Sequence, residues 1–157
     1  MSAIDDVIRA AAIAAENIAT MGAPPRRGLA ILMCMDARID PVRVLGIQPG
    51  DAHILRNPGG VVGDAELRAL AISQRLMGTQ EVMVVHHTDC GAAQLDEDAL
   101  NAEIERDTGS PPPWLSTPYQ TVEESVSRVR ACDALPHRDA VRGFVFHVEN
   151  GRLVEVD

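Results

Sequence analysis

The sequence predicts an α/β fold, with a mostly parallel central sheet flanked by helices, an antiparallel C-terminal edge strand and an N-terminal helical arm. Three observations carry that prediction. Short apolar runs such as Leu29–Cys34 and Val82–Val85 have the pattern of strands buried on both faces. They alternate with segments of helical periodicity, as a parallel sheet with helical crossovers requires. Near the end of the chain Asn150-Gly151 separates two apolar runs, which is a strong hairpin signal.

Taken in order, Ser2 with Asp5 fits a capping box, and Ile4, Val7, Ile8, Ala11, Ala15 and Ile18 follow at helical spacing. This arm, residues 2–20, ends at the loop Gly22-Ala23-Pro24-Pro25. Leu29–Cys34 is the first strand. Asp40-Pro41 reads as an N-cap with Pro at the first helical position of a short helix that stops near Gly46. A second strand, Ala52–Arg56, runs into the turn Asn57-Pro58-Gly59-Gly60. Asp64 is placed to cap a helix carrying Leu67, Leu70, Ala71 and Leu76, with Gly78 closing it. Glu81–His86 is a third strand. Helices near Asp96–Arg106 and Val122–Cys132 bracket a Pro-rich loop at Ser110–Pro118. Phe144–Val148 and Leu153–Val156 form the closing hairpin. The whole, residues 1–157, reads as a single domain without internal repeats.

Composition narrows the function. Apolar residues make up 46% and charged residues 24%, the balance of a water-soluble globular protein. A net charge of −9, with dispersed arginines and no lysine, argues against a nucleic-acid partner. Trp114, Tyr119, Phe144 and Phe146 are the only aromatics, which disfavours stacking on sugars or bases and leaves a very small substrate open. The apolar stretch Val7–Ala15 follows Asp5 and Asp6 in place of a basic segment, so a secretory signal is not expected, nor is a membrane partner. A cytoplasmic location is expected. Three cysteines do not suggest a disulfide framework.

In open α/β sheets ligands bind beyond the carboxyl ends of the strands. The first strand runs there into Cys34-Met35-Asp36-Ala37-Arg38, and the third into His87-Thr88-Asp89-Cys90-Gly91. If the two strands are neighbours, Cys34, His87 and Cys90 converge. Two thiolates and an imidazole suit zinc and leave the fourth position open for water or substrate. Spacing alone slightly favours a plainer reading, two packed cysteines and a hydrogen-bonded histidine, because His-x-x-Cys is short and free Cys is commonly buried. The coincidence of position shifts the balance towards metal.

Cys34-x-Asp36-x-Arg38, Arg56-Asn57-Pro58-Gly59-Gly60 and His87-Thr88-Asp89-Cys90-Gly91 together resemble the signature of the β-class carbonic anhydrases, in the compact archaeal and mycobacterial-type branch. The likeness spans roughly residues 28–100 in order and spacing. It implies zinc, one per chain, held by Cys34, His87 and Cys90, with Asp36 and Arg38 as the catalytic dyad. The implied activity is the reversible hydration of carbon dioxide to bicarbonate and a proton by attack of zinc-bound hydroxide. Arg38 would hold the Asp36 carboxylate, which orients the attacking group. In some members the equivalent Asp instead ligates zinc, and the sequence does not show which state this chain prefers. Gly59 and Gly60 serve either to let backbone amides approach the substrate or simply to reverse the chain. Many plant-type members carry a Gln nine residues before the first ligand cysteine; here that position is Pro25, so the bicarbonate contacts must differ. The resemblance also implies a homodimer or larger homo-oligomer, with the arm packing on the partner.

The remaining candidates are assigned plainer roles. His86 is expected on the opposite side of its strand, packed or hydrogen-bonded. His53 reads as structural, Cys132 as a helix thiol, and Asp89 as a turn residue able to accept a hydrogen bond near the metal. Met33 and Met35 read as packing. Competing functions are hydrolysis of carbonyl sulfide or carbon disulfide on the same metal, a non-catalytic zinc or bicarbonate-binding protein, and thiol redox chemistry, which the lack of a Cys-x-x-Cys weakens.

Overall fold

The computed structural model describes residues 2–14, 21–114 and 116–156. A single five-stranded sheet has the order β2-β1-β3-β4-β5, with β1 (Leu29–Cys34), β2 (Ala52–Asn57), β3 (Glu81–His87) and β4 (Val141–His147) parallel. β5 (Arg152–Val156) runs antiparallel at the edge. The expected hairpin is present, but its connection is longer than a two-residue turn. His147 pairs with Arg152, and the Gly151 N–H donates back to the His147 carbonyl at 2.8 Å, with Gly151 at φ 72°.

Side-chain alternation gives the sheet two distinct faces. Ala30, Leu32, Val82, Val84 and Val141 meet α3 (Asp64–Met77) through Leu70 and α5 (Val122–Arg130) through Val122, Val126 and Val129. Ile31, Met33, Val85 and Phe146 form the other core with Ile39 and Ile47, and the short α2 (Pro41–Leu45) adds Val44 and Leu45. α2 follows β1 on one face, whereas α5 follows β3 on the other. The chain therefore leaves neighbouring strands in opposite directions, which makes the carboxyl end of the β1–β3 pair the switch point of the sheet. This is where the fold opens a crevice.

Local chemistry sets the helix ends. Ser2 donates to the Asp5 carboxylate through its N–H and hydroxyl at 2.9 and 3.0 Å and caps α1 (Ala3–Ala14) as expected. Ala15 and Ile18 lie outside the described residues. Asp40 accepts from the Arg43 N–H to start α2, and Gly46, at φ 65°, ends it. Asp64 is not the cap of α3: Gly63 takes that place, and its N–H is satisfied by the Glu66 carboxylate at 2.9 Å. Asp96 caps α4 (Glu97–Thr108), and Thr121 with Glu124 forms a capping box on α5. Cys132 lies just beyond α5 and packs against the first core with its thiol free.

β4 begins at Val141, three residues before the aromatic run marks it, because the buried Gly143 interrupts the apolar pattern while staying in register opposite Val84. Its missing side chain lets α5 sit directly on the strand. A Cβ there would lie 3.0 Å from Val126 Cγ2 and nearer still to Val122 Cγ1. Gly143→Ala should therefore force α5 outward and destabilise the domain by about 1–3 kcal/mol. Urea unfolding checks this, as a lower midpoint at unchanged slope.

Candidate metal centre

β1 delivers Cys34 and β3 delivers His87 to the switch point, in a register that sets Met33 beside Val85. Cys90 follows three residues later, at the start of a 3-10 turn, Gly91–Gln94. All three side chains are buried, and one ligand atom from each lies within 4.8 Å of the others. The Cys34 and Cys90 sulfurs are 3.8 Å apart. Two zinc–sulfur bonds of about 2.3 Å meeting at a tetrahedral angle place sulfurs about 3.8 Å apart, so the spacing fits that ion.

His87 is oriented for the same task. Its Nδ1 stands 2.8 Å from the Thr88 carbonyl, which can only accept, so Nδ1 carries the proton and Nε2 keeps a lone pair. Nε2 is buried with no hydrogen-bond partner and lies 3.9 Å from Asp36 Oδ2. An orphaned imidazole nitrogen beside two thiols fits a metal ligand. Burial pushes the Cys90 thiol up, as does the neighbouring Cys34, against the opposing pull of the Ala92 N–H. Ligation by a cation reverses that balance.

Asp36 and Arg38 pair as their spacing suggests. Arg38 Nε lies 3.0 and 3.2 Å from the two Asp36 oxygens and Nη2 lies 2.7 Å from Oδ2, while the Arg38 N–H donates to Oδ1 at 2.8 Å. These bonds, the Arg38 side chain first, hold the Asp36 carboxyl well below the usual carboxylate range. Arg38 also reaches the second loop, with Nη1 2.9 Å from Asp89 Oδ2 and Nη2 2.9 Å from the Asp89 carbonyl. Asp89, at φ 54°, thus binds Arg38 through both its side chain and its carbonyl.

The turn after β2 backs this arrangement. Gly59 and Gly60 are buried at φ 81° and 70°. A Cβ on Gly60 would stand 3.1 Å from the Cys34 nitrogen and 3.2 Å from the Val85 carbonyl, so packing over the β1–β3 junction by itself requires glycine. His86 points away from His87, as expected, and its Nε2 lies 3.1 Å from the Gly60 carbonyl; burial pushes its imidazole below the ordinary histidine range. His53 hydrogen-bonds Ser73 at 2.7 Å and is structural. A cavity of about 680 Å³ opens beside the turn against Asn57, Pro58 and Val61; none of Cys34, His87 and Cys90 lines it.

Sequence reasoning placed Arg56 in a motif but gave it no role; it donates to the carbonyls of Cys34 at 2.9 Å and Asp36 at 2.7 Å and so fixes the loop between those residues. Sequence reasoning missed Glu149, which accepts from the Thr88 hydroxyl at 2.7 Å. Both contacts depend on strand register, which no local pattern encodes. Asn57 closes the same loop by accepting the Met35 N–H at 2.8 Å.

A family model described as carbonic anhydrase matches residues 29–149. The β-carbonic anhydrase 1 of Mycobacterium tuberculosis is 44% identical over 137 residues, covering 85% of this chain and 84% of that protein. The chain belongs to the β-carbonic anhydrase family. A crystal structure of carbonic anhydrase from Streptococcus mutans superposes with a TM-score of 0.86 at 34% identity, over 100% of this chain and 99% of that one. A carbon disulfide hydrolase of an Acidianus species is 50% identical over 70 residues, 45% of this chain and 34% of that enzyme. A carbon disulfide hydrolase of Acidithiobacillus thiooxidans matches as much of this chain, 85%, but at 29% identity, so the β-carbonic anhydrase likeness is the stronger in identity over the same extent.

The Asp36–Arg38 pair makes a direct prediction. Removing the guanidinium in Arg38→Ala should bring the Asp36 pKa up towards the ordinary carboxylate value of about 3.9. Wild-type Asp36 should stay ionised to lower pH than the variant, as read from its side-chain carboxyl carbon by NMR titration.

Proposed function

We propose that this β-carbonic anhydrase is a zinc enzyme that interconverts carbon dioxide and bicarbonate, with Cys34, His87 and Cys90 as the metal ligands. The observation that carries this reading is the 3.8 Å sulfur pair facing a lone-pair nitrogen, with an ionised carboxylate 3.9 Å from that nitrogen. Zinc bound there would acidify a water enough to serve as a nucleophile near neutral pH. Asp36, fixed by Arg38, accepts a hydrogen bond from the attacking water and turns a lone pair towards the carbon of the substrate. Because Arg38 keeps Asp36 ionised, that carboxylate remains an acceptor throughout the working pH range. Of the two roles open to Gly59 and Gly60, close packing is the one their surroundings support, since a Cβ on either would press on Tyr119, Cys34 or Val85.

The assembly we infer is a homodimer or larger. Ile4, Val7 and Ile8 are 71, 67 and 62% exposed on one helical stripe, a surface suited to packing the arm on a second copy. Three free thiols suit a reducing compartment, and we place the enzyme in the cytoplasm. Among the described residues no helix is long and apolar enough to cross a membrane.

Stopped-flow hydration of carbon dioxide, with metal analysis on the same sample, tests the reading. One zinc per chain and activity lost in Cys34→Ser are expected. Asp36→Asn should retain zinc and lose about 10²-fold or more in kcat. Full activity in Asp36→Asn would remove the carboxylate from the mechanism. The partial likeness to a carbon disulfide hydrolase supplies a second reading, and it predicts hydrogen sulfide release from carbon disulfide or carbonyl sulfide in place of carbon dioxide turnover. A zinc-loaded chain inactive on carbon dioxide at every pH would move the assignment there.

A further inference from the structure

The loop from His87 to Cys90 carries two of the three proposed ligands, yet it is only four residues long and contains a non-glycine residue, Asp89, at φ 54°. A backbone in that region holds its shape only when surrounding contacts over-determine it. Arg38 grips the loop from the β1 side through Asp89. The grip on the other side comes from the turn between β4 and β5. The Thr88 hydroxyl accepts the Val148 N–H at 3.0 Å and donates to Glu149 Oε2 at 2.7 Å, while the Thr88 N–H donates to the Phe146 carbonyl at 3.0 Å. Held on three sides, Thr88 presents its own carbonyl to His87 Nδ1 at 2.8 Å. The other Glu149 oxygen lies 2.9 Å from His147 Nδ1. Its own backbone N–H, the Thr88 hydroxyl and His147 together hold the Glu149 carboxyl down at about 2, so it remains an acceptor across the physiological range.

We propose that Glu149 and Thr88 are positioning residues for the metal site: the edge hairpin, through these two side chains, fixes the carbonyl that selects the His87 tautomer and aims Nε2 at the metal. The inference rests on the zinc reading above. Neither residue touches the ligand set directly except through the Thr88 backbone, so the effect reaches the metal by orientation. Outer partners of this kind commonly change metal affinity by about 10–100-fold. Glu149 lies on an exposed turn, and its removal leaves both cores intact.

Zinc affinity measured by competition with a chromophoric chelator, together with the visible spectrum of the cobalt-substituted protein, provides the test. Glu149→Ala and Thr88→Val should each weaken zinc by about 10–100-fold and alter the cobalt ligand-field bands. Glu149→Gln and Thr88→Ser, which keep an acceptor and a hydroxyl in place, should recover most of the loss. If Glu149→Ala lowers the melting temperature but leaves zinc affinity and the cobalt spectrum as in the wild type, the contact is only structural and the inference is overturned. Should Thr88→Val fail to fold, the exposed Glu149→Ala and its Gln counterpart decide the matter alone. A wild-type chain that binds no zinc would overturn the metal reading itself, whereas a wild type that binds zinc with unaffected variants would overturn only the role of the hairpin.

Discussion

Arg38 joins the two halves of the site. One guanidinium takes the Asp36 carboxylate of the first loop with three of its hydrogen bonds to side-chain oxygens and both the carboxylate and the carbonyl of Asp89 in the second. The loops come from β1 and β3, which the sheet brings side by side but cannot orient beyond their last paired residues. A planar fork of fixed geometry supplies that orientation; a lysine, with a single point of charge, could not serve both loops at once. Since the ion pairs are partly exposed, their value lies in geometry more than in stability.

The same logic explains why the surroundings are so heavily stitched. Arg56 holds the carbonyls on either side of Met35, Asn57 takes the Met35 N–H, and Gly60 closes against the Cys34 nitrogen. These contacts fix the first loop through β2, as the β4–β5 turn fixes the second through Thr88. Each of the two loops is thus tied to the strand on its outer side and to Arg38 on its inner side. The framework is set by the sheet, so the three donors stand together as a consequence of folding.

Much of this was legible in the sequence because it is local. Leu29–Cys34 is a strand since an unbroken apolar run fits only where both faces are covered, and the structure covers both with separate cores. Cys34, His87 and Cys90 were legible because strand ends in an α/β fold point to one place. The start of β4 was not, since Gly143 breaks the apolar pattern for the sake of helix packing that the strand alone does not reveal. The cap of α3 was misplaced by one residue, because a backbone N–H on Gly63 met by Glu66 leaves no side-chain signature at the cap itself. The roles of Arg56 and Glu149 were illegible for a third reason. Their partners are 20 to 22 and 61 residues away, and only the register brings them together.

A preformed donor set has an electrostatic cost that bears on how the site responds to pH. Burial raises the Cys90 thiol, and the Cys34 sulfur 3.8 Å away raises it further. Cys90 therefore resists ionisation. Ligation removes protons from both thiols, so affinity for a divalent cation must weaken as pH falls. His87 enters through its tautomer, since the Thr88 carbonyl on Nδ1 leaves the Nε2 lone pair facing the two sulfurs. Asp36 works in the opposite sense. Its carboxylate, held ionised by Arg38, adds negative potential 3.9 Å from Nε2 and favours a cation in the crevice at every pH where the pair persists. The arginine that positions the dyad therefore also determines how far into acid the site keeps a charge that attracts metal.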